Sequence, residues 1–280
     1  MVGAVQSPRV CSSPAARRGD FSVGQSKGRG TRKQQPGRGS REDLVGTHVI
    51  REALRARRRD LHGLRVKTGA RGDEIAELCA LAADLGIPLS EEPDLAEGRS
   101  GSFQGAVLTA GPLPQLSLEE LIGSRPATGW RLVALDGVED PQNLGAIARV
   151  AEGVGTHALI LTDRRAPPVS AAVSRASAGA VEWLPVARVP NLSKALTSLK
   201  GEGVWSFGAE LDAGTSLYDV PDRWLGGDRV LVLGAEGRGL REGVRRCVDY
   251  RVEIPTSGRV ESLNVATAAA VILFEFRRRE

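Results

Sequence analysis

Three polar or glycine-rich segments in the second half of the chain hold most of the residues that could do chemistry. Each segment follows a short apolar run: 136–142 after Arg131–Leu135, 234–239 after Arg229–Leu233, and 255–264 after Tyr250–Ile254. Apolar runs of this length predict buried strands. Ligands of open α/β sheets bind at the carboxyl ends of strands. We therefore expect a ligand site where these segments lie.

The first segment leads into a predicted helix, Asn143–Glu152. Asn143 is the expected N-cap, and Arg149 falls in the second turn. A guanidinium presented by a rigid helix suits a phosphate or a developing alkoxide. An arginine on a helix is more often solvated or paired with a carboxylate, so Arg149 alone does not decide the chemistry.

The second segment, Gly234–Gly239, superficially resembles a dinucleotide fingerprint. It occurs late in the chain, and no acidic residue ends a following strand at the expected distance, which disfavours a nucleotide-dependent dehydrogenase. Its glycines would let the backbone approach a flat ligand closely. Glu236 lies inside this turn, and its simplest role is to fix the loop by accepting backbone N–H bonds.

The third segment places Ser262 and Asn264 before a long apolar stretch, Asn264–Arg278, which predicts a helix. Capping of that helix would by itself account for either residue. Taken one by one, the three segments therefore leave a structural explanation open beside the chemical one.

The elements that must position these segments alternate between strand and helix from residue 130 onward. This predicts a parallel sheet covered on both faces. Its further predicted elements are strands 157–162, 181–186 and 204–209 and helices 168–178 and 192–199, the second of these helices with Asn191 as its expected N-cap. We predict a small α/β domain at 41–112, with Thr47 capping its first helix, a linker at 113–129 that contains one short helix, and a catalytic domain at 130–280.

Charge is distributed unevenly along the chain. Residues 1–40 contain eight basic residues and one acidic residue, a net charge of +7 against +4 for the whole chain, so the other 240 residues sum to −3. The segment has few large apolar residues, which predicts disorder. Such a tail suits contact with RNA phosphates, or it serves only solubility. Its composition also resembles an organelle transit peptide, a less favoured interpretation.

Several classes of protein are disfavoured by composition. The three cysteines are far apart and none of the three histidines lies near one, which indicates neither a disulfide framework nor a metal site. No apolar run approaches the length of a membrane span, and the start lacks the apolar core of a secretory signal. We therefore expect a cytoplasmic protein without a bound metal.

Together the three segments resemble one family. The pattern is Asn143-x-Gly-Ala-Ile-x-Arg149, then Gly234-Ala-Glu-Gly-x-Gly239, then Ile254-Pro-x4-Val260-x-Ser262-Leu-Asn264-Val. It is similar to the SpoU family of RNA ribose 2′-O-methyltransferases, in the trefoil-knotted SPOUT class, over residues 130–280. Residues 44–110 resemble the family's small substrate-binding domain, related to a ribosomal-protein fold. The resemblance is greatest to bacterial enzymes that methylate a guanosine ribose in the peptidyl-transferase region of 23S rRNA.

This resemblance implies a deep C-terminal trefoil knot that binds S-adenosyl-L-methionine. The family's cofactor contacts fall on Gly234, Gly237, Ile254 and Leu263 of this sequence. Arg149 matches an arginine that is essential in the family and has been proposed as its general base. A guanidinium stays protonated in proteins, so binding of a phosphate and stabilisation of the oxyanion are the safer hypotheses. The residues that would orient the reactants are Asn143, Glu236, Ser262 and Asn264.

The resemblance also implies partners. RNA is the expected substrate, with rRNA favoured over tRNA because stand-alone tRNA enzymes of the family commonly lack the additional domain. A non-catalytic RNA-binding protein on the same fold is the further alternative. Base choice is expected to depend on residues 44–110 and 163–170. Family members are homodimers, and the apolar residues of the last helix are candidates for the interface or for the core: Val265, Ala269, Ile272, Leu273 and Phe276.

Overall fold

The structure is a computed structural model that describes residues 41–95, 104–259 and 262–280. The predicted disordered tail, 1–40, and Val260 of the third motif lie outside the described residues. Among those described, no helix is both long enough and apolar enough to cross a membrane, and no three His, Cys, Asp or Glu side chains are grouped as metal ligands.

The first part of the described chain forms a four-stranded mixed sheet with two helices. Its elements are β1 (Glu42–Val45), α1 (Thr47–Ala56), β2 (Leu61–Lys67), α2 (Asp73–Asp84), β3 (Leu89–Glu92) and β4 (Ala106–Ala110). The strand order is β1-β4-β2-β3, with only β2 and β3 parallel. Leu44, Leu54, Leu64, Leu78 and Leu108 are buried between the sheet and the helices. This is the small α/β unit that the sequence predicts.

The prediction that Thr47 caps α1 is wrong. Gly46 occupies the N-cap position with a φ of 99°, and no side chain caps the helix. Thr47 is the first helical residue, and its backbone N–H donates to Oε1 of Gln104 at 3.1 Å. A distant side chain thus accepts the N–H that a local cap would otherwise take.

The second part is a six-stranded sheet in which all strands are parallel. Its strands are β5 (Arg131–Asp136), β6 (Ala158–Thr162), β7 (Val186–Val189), β8 (Trp205–Ala209), β9 (Arg229–Gly234) and β10 (Tyr250–Val252), in the order β10-β8-β9-β5-β6-β7. The helices are α3 (Leu118–Gly123), α4 (Pro141–Gly153), α5 (Ala171–Ala176), α6 (Leu192–Gly201), α7 (Asp222–Leu225), α8 (Glu242–Arg245) and α9 (Val265–Arg278). The predicted parallel sheet is confirmed.

Helices cover both faces of this sheet, as the buried apolar strands require. The core on one face takes residues from α4, α5 and α9, and the core on the other takes residues from α3, α6 and α8. The α9 residues considered above for a dimer interface are all buried in the first of these cores: Val265, Ala269, Ile272, Leu273 and Phe276. They form the interior of the chain and not its outer surface.

The segment between the two sheets is ordered along the edge of the larger one. Leu116 pairs beside β7, where its N–H donates to the carbonyl of Val186 at 2.8 Å and its carbonyl accepts from Arg188 at 2.9 Å. Ser117 and Glu120 then form a reciprocal capping box at the start of α3. Hydrogen bonds from Ser117 lower the pKa of Glu120. The predicted short helix is confirmed, and the segment also extends the sheet.

A buried ion pair joins the small sheet's part of the chain to the larger sheet's part. Arg59, whose side chain is fully buried, donates to Glu182 from Nε at 2.7 Å and from Nη2 at 2.9 Å. Its guanidinium also contacts Ser174 and Glu42. Residues 181–186 were predicted to be extended, but a 3-10 turn spans Ala180–Glu182. That turn delivers the Glu182 carboxylate to Arg59.

Candidate active site at the carboxyl edge of the sheet

The three segments predicted to carry the site lie at the carboxyl ends of β5, β9 and β10. Strands β5 and β9 are neighbours, and their last residues, Asp136 and Gly234, are paired in register. Strand β8 lies between β9 and β10, so its own carboxyl end, Ala209–Asp212, also faces this edge. The fold therefore gathers four strand ends in one place.

Asn143, Glu236 and Asn264 form a polar cluster there, one residue from each segment. The Asn143 Nδ2 donates to Oε1 of Glu236 at 3.1 Å, and the Asn264 Nδ2 donates to the same oxygen at 2.5 Å. The Asn264 Nδ2 also lies 3.0 Å from Oδ1 of Asn143. Residues separated by 93 and 121 positions in the chain are thus fixed to each other by their side chains.

Asn143 is free for this cluster because it is not the cap of its helix, which corrects the prediction. Asp140 is the N-cap, and its carboxylate accepts from the backbone N–H of Gln142 at 2.9 Å. Pro141 takes the first helical position, where its fixed φ suits the helix and its missing N–H costs nothing. Asn143 is therefore the third residue of the helix, and its carboxamide is available to bond to Glu236.

Asn264 does cap its helix, as predicted, but it also does more. Its Oδ1 accepts from the backbone N–H groups of Ala266 and Thr267, while its Nδ2 bonds to the cluster. Glu236 was expected to accept backbone N–H bonds. It instead accepts from the carboxamides of Asn143 and Asn264. The capping interpretation is therefore correct for Asn264 but incomplete, and the loop-fixing interpretation of Glu236 is replaced.

The glycine-rich segment folds back over the end of β9. Ala235 and Gly239 form an isolated bridge, with the Gly239 N–H donating to the Ala235 carbonyl at 2.9 Å. A Cβ on Gly234 would overlap the backbone of Gly239 and Leu240. Glycine at 234 is thus required by close approach of main chain to main chain.

A buried aspartate holds this folded loop in place. Asp136 is 1% exposed. Its carboxylate accepts from the backbone N–H of Arg241 at 2.8 Å and from its Nε at 2.6 Å. Because Arg241 follows the loop directly, the end of β5 determines where the loop after β9 lies. This pair was not predicted from the sequence, where the apolar run ends at Leu135 and Asp136 was assigned to the segment that follows.

A cavity of about 580 Å³ opens beside this loop. Its size falls in the range typical of sites for small molecules and cofactors. Seven of the residues predicted for the site line it: Gly234, Glu236, Gly237, Ile254, Ser262, Leu263 and Asn264. Of these, Glu236 and Asn264 also belong to the polar cluster. Leu211 and Leu263 are exposed large apolar side chains on its wall.

The carboxyl end of β8 supplies cavity residues that sequence analysis missed. Ala209, Glu210, Leu211 and Asp212 all line the cavity. The Glu210 carboxylate is mostly buried and pairs with Arg245, another lining residue, at 3.0 Å. The strand before these residues was predicted, but its place in the sheet between β9 and β10 was not.

Arg149 lies apart from the cavity. Because α4 begins at Pro141, Arg149 falls in the third turn and not the second, about 9 Å further along the helix axis than Asn143. It is exposed, and its guanidinium makes no hydrogen bond or ion pair with the described residues. Ser262 lines the cavity and likewise bonds to no described side chain. The structure thus brings together all predicted site residues except Arg149.

Comparison with known proteins agrees with this geometry. A family model described as the SpoU rRNA Methylase family matches residues 131–274. A second model, described as RNA 2′-O ribose methyltransferase substrate binding, matches 44–94. The first range spans the larger sheet, and the second spans the smaller sheet's part of the chain up to β3 but ends before β4.

Full-length relatives and solved structures extend the match. The 23S rRNA (guanosine-2′-O-)-methyltransferase RlmB of Pseudomonas aeruginosa is 35% identical over 85% of this chain and 96% of its own. A protein of Mycobacterium sp. strain KMS, named an uncharacterized tRNA/rRNA methyltransferase, is 36% identical over 95% of this chain and 84% of its own. An AdoMet-bound rRNA methyltransferase from Sinorhizobium meliloti shares the fold with a TM-score of 0.69 and 26% identity, covering 85% of this chain and 87% of its own. The chain therefore belongs to the SpoU rRNA methylase family.

Proposed function

We propose that this protein transfers the methyl group of S-adenosyl-L-methionine to a guanosine ribose 2′-hydroxyl in 23S rRNA. The observation that carries the proposal is the cluster of Asn143, Glu236 and Asn264 at the mouth of the cofactor-sized cavity. A degenerate, non-catalytic relative would be expected to lose at least one of these three side chains. The name of the Pseudomonas aeruginosa relative supports the nucleotide and the RNA.

The cavity fits the cofactor in size and chemistry. Ile254 and Leu263 would hold the adenine between apolar side chains, and the backbone around Gly234 and Gly237 would contact its edge and the ribose. Because Gly234 lacks a Cβ, the backbone of Gly239 and Leu240 can lie directly against it, and all three residues line the cavity. The bound cofactor would supply a methyl group already activated by its sulfonium. The main task of the protein is then to align the reacting atoms.

The polar cluster would orient the substrate ribose. Glu236 accepts two amide N–H groups and is held in one position by them, so its second carboxylate oxygen is available to a hydroxyl. Ser262, without a bond to other described side chains, is available to the methionine end of the cofactor. Preorganisation of this kind lowers the cost of reaching the reactive geometry.

Arg149 would stabilise charge as the hydroxyl loses its proton. A permanently charged guanidinium is a poor general base, but it can bind the adjacent phosphate and favour oxyanion character at O2′. Its position on α4, exposed and about 9 Å along the axis from Asn143, leaves it facing outward from its own chain. RNA bound across this surface could reach both groups.

A homodimer would bring a second chain to the same surface. Phe274 on α9 is a large apolar side chain that is 56% exposed, and Ala146 on α4 and Ala270 on α9 are partly exposed. Exposed apolar surface of this kind favours an interface. We expect Phe274→Glu to convert a dimer to a monomer in light scattering at micromolar concentration. Leu89→Glu, at another exposed apolar residue, should leave the dimer intact. A monomeric parent protein would contradict the dimer.

The finer features of the fold belong to the same proposal. The segment after β10 returns across the carboxyl edge to α9, which packs against α4, and Asn264 contacts Asn143 on the way. This path supports the deep trefoil knot of the SPOUT class. The match of residues 44–94 to a substrate-binding model supports the ribosomal-protein-like identity of the small domain and its role in RNA binding. A crystal structure traced through residues 250–280 tests the knot directly.

A methyl-transfer assay tests the function. Purified protein and tritiated S-adenosyl-L-methionine are incubated separately with unmodified 23S rRNA, 16S rRNA and bulk tRNA, and the products are digested for nucleoside mass spectrometry. We expect 2′-O-methylguanosine in 23S rRNA only. Label confined to tRNA would keep the reaction and overturn the substrate. Absence of cofactor binding would overturn the proposal.

A further inference from the structure

Two adjacent arginines on the loop after β6 have side chains that bind none of the residues described by the structure. Arg164 and Arg165 are both exposed, and neither guanidinium makes a hydrogen bond or ion pair with the described residues. At the opposite end of the sheet, by contrast, Arg131 and Arg229 both pair with Glu280. With Asp163 directly before them, this stretch of the loop carries two positive charges and one negative charge, and neither guanidinium is held in an ion pair with a described residue.

The loop that carries them is firmly held. Arg188 donates from Nη1 to the carbonyl of Thr162 at 2.9 Å and from Nη2 to the carbonyl of Pro167 at 2.6 Å, one on each side of the arginines. The Thr162 hydroxyl also donates to the carbonyl of Arg164. Pro167 is buried below the loop. The main chain is thus fixed while the two side chains extend from it.

Arg165 occupies this loop at a conformational cost. Its φ is +63°, in the left-handed region that side chains with a Cβ rarely adopt. Glycine would take this conformation without strain. Strained backbone of this kind concentrates at functional sites. Arg57 has a similar φ, but it ends α1 as a left-handed C-cap. Arg165 lies in a loop and caps no helix, so a ligand that its side chain binds would account for an arginine at this position.

The position of the loop indicates which ligand. Strand β6 neighbours β5, so the loop lies one strand away from the segment that leads to Asn143. On its other side α5 begins at Ala171, whose backbone N–H donates to Glu42 of the small domain at 2.7 Å. The loop therefore bridges the active-site edge and the small domain.

We infer that Arg164 and Arg165 bind two phosphates of the substrate RNA between the methylated nucleotide and the part bound by the small domain. Arginine suits this role because its planar guanidinium binds phosphate oxygens in a bidentate manner. The inference rests on the proposed function for the identity of the RNA. It adds a backbone contact that positions the RNA without reading its sequence.

The test uses the full-length double variant Arg164→Ala/Arg165→Gly with a 23S rRNA transcript. We expect the KM for the transcript to rise about tenfold and the slope of log affinity against log salt to fall by about one to two. The kcat and the Kd for S-adenosyl-L-methionine should stay the same. The unfolding temperature should not fall, because glycine removes the strain at 165.

Two further variants control the result. Arg278→Ala also removes one exposed positive charge, from an arginine paired with Glu275 at the far end of α9, and it should leave the KM and the salt slope unchanged. Arg164→Lys/Arg165→Lys should restore most of the slope, since the charges are kept. An unchanged transcript KM and salt slope in the Ala/Gly variant would overturn the inference.

Filter binding of the same transcript separates this inference from the proposed function. If the parent protein fails to methylate any RNA, the function is wrong. Loss of salt-dependent transcript binding in the Ala/Gly variant would still support the phosphate contacts. If methylation succeeds but binding is equal in the two proteins, only the inference fails.

Discussion

The β5–β9 strand pair has a buried aspartate at each end, and the two make the same kinds of bonds. At the amino end Asp228, just before β9, accepts from the Trp130 N–H at 2.5 Å and pairs with Arg125. At the carboxyl end Asp136 accepts from the backbone N–H and guanidinium of Arg241. Both are less than a tenth exposed. Because the two aspartates form matching bonds, a difference between the effects of their substitution must come from the segment that each one holds in place.

What differs is the charge around them. At the amino end, Arg125, Arg131 and Arg229 all pair with carboxylates. At the carboxyl edge Arg241 and Arg245 are paired as well, but Arg164 and Arg165, on the loop after β6, have no partner among the described residues. The same bonding therefore closes the fold at one end, while at the other it shapes a loop that lies beside the cavity.

Arg149→Ala should give the largest contrast between the ends. Loss of one group that stabilises developing charge lowers kcat about a hundred- to a thousandfold, whereas the Kd for S-adenosyl-L-methionine should be unchanged because Arg149 does not line the cavity. Single-turnover methyl transfer and calorimetric cofactor binding measure the two effects.

Arg125→Ala is the control at the amino end, because the partners of Arg125 among the described residues are Asp228 and a carbonyl oxygen. It should lower the unfolding temperature and leave kcat as it was. An Arg149→Ala protein with normal kcat, or with lost cofactor binding, would remove Arg149 from the proposed chemistry.

Asn264→Asp separates helix capping from the role in the cluster. Aspartate is as good an N-cap as asparagine, but it has no N–H to donate and would place a second carboxylate against Glu236. The cap itself is kept, so any loss of stability comes from repulsion between the two carboxylates. We expect a kcat about a hundredfold lower, because misplacement of the reacting groups by 1 Å has about that effect.

Asn191→Asp, at the cap of α6, should change neither stability nor kcat by a comparable amount. If both aspartate variants are fully active, Asn264 is only a cap, as its sequence context alone would suggest.

The difference between these two asparagines shows what sequence could and could not predict. Both caps were predicted from a polar residue before an apolar run, and both are confirmed. Asn143 looked equivalent, but Asp140 followed by Pro141 is the stronger start signal and takes the cap. Local rules therefore work until two candidates compete within a few residues.

The order of the strands in the sheet, and the contacts between residues far apart in the chain, were harder to predict from the sequence. Hydrophobic runs predicted that the strands are buried and parallel, but not that β8 lies between β9 and β10. Without that order, Glu210 and Leu211 could not be placed in the cavity. Similarly, the Asp136–Arg241 contact joins residues that are 105 positions apart, and the periodicity of apolar residues does not indicate contacts of this kind. The family resemblance, not the pattern, brought Asn143, Glu236 and Asn264 together before the structure did.

The matched aspartates give a smaller but sharper test. Asp136→Asn and Asp228→Asn each weaken charged hydrogen bonds, and each should lower the free energy of unfolding by about 1–3 kcal/mol. Only Asp136→Asn should raise the Kd for S-adenosyl-L-methionine, about tenfold, because only Asp136 holds the loop that lines the cavity. Urea unfolding and calorimetry measure both quantities. Equal cofactor affinities in the two variants would show that the loop keeps its shape without Asp136.

The smallest expected effect lies at the amino end and depends on pH. Burial, followed by repulsion from Arg131 and Arg229, lowers the pKa of His157 below its usual 6.5, and its Nδ1 accepts from the Arg131 N–H at 3.0 Å. The unfolded chain thus takes up a proton first as the pH falls through 6.5. His157 consequently costs stability from there down to its folded pKa. In His157→Asn the amide oxygen can accept the same N–H without titrating. The variant's unfolding free energy should then fall less than the parent's between about pH 7 and 5, with kcat unchanged at pH 7. Parallel stability curves for the two proteins would mean that His157 takes no part in the acid response, and that the amino end depends on its carboxylate–arginine pairs alone.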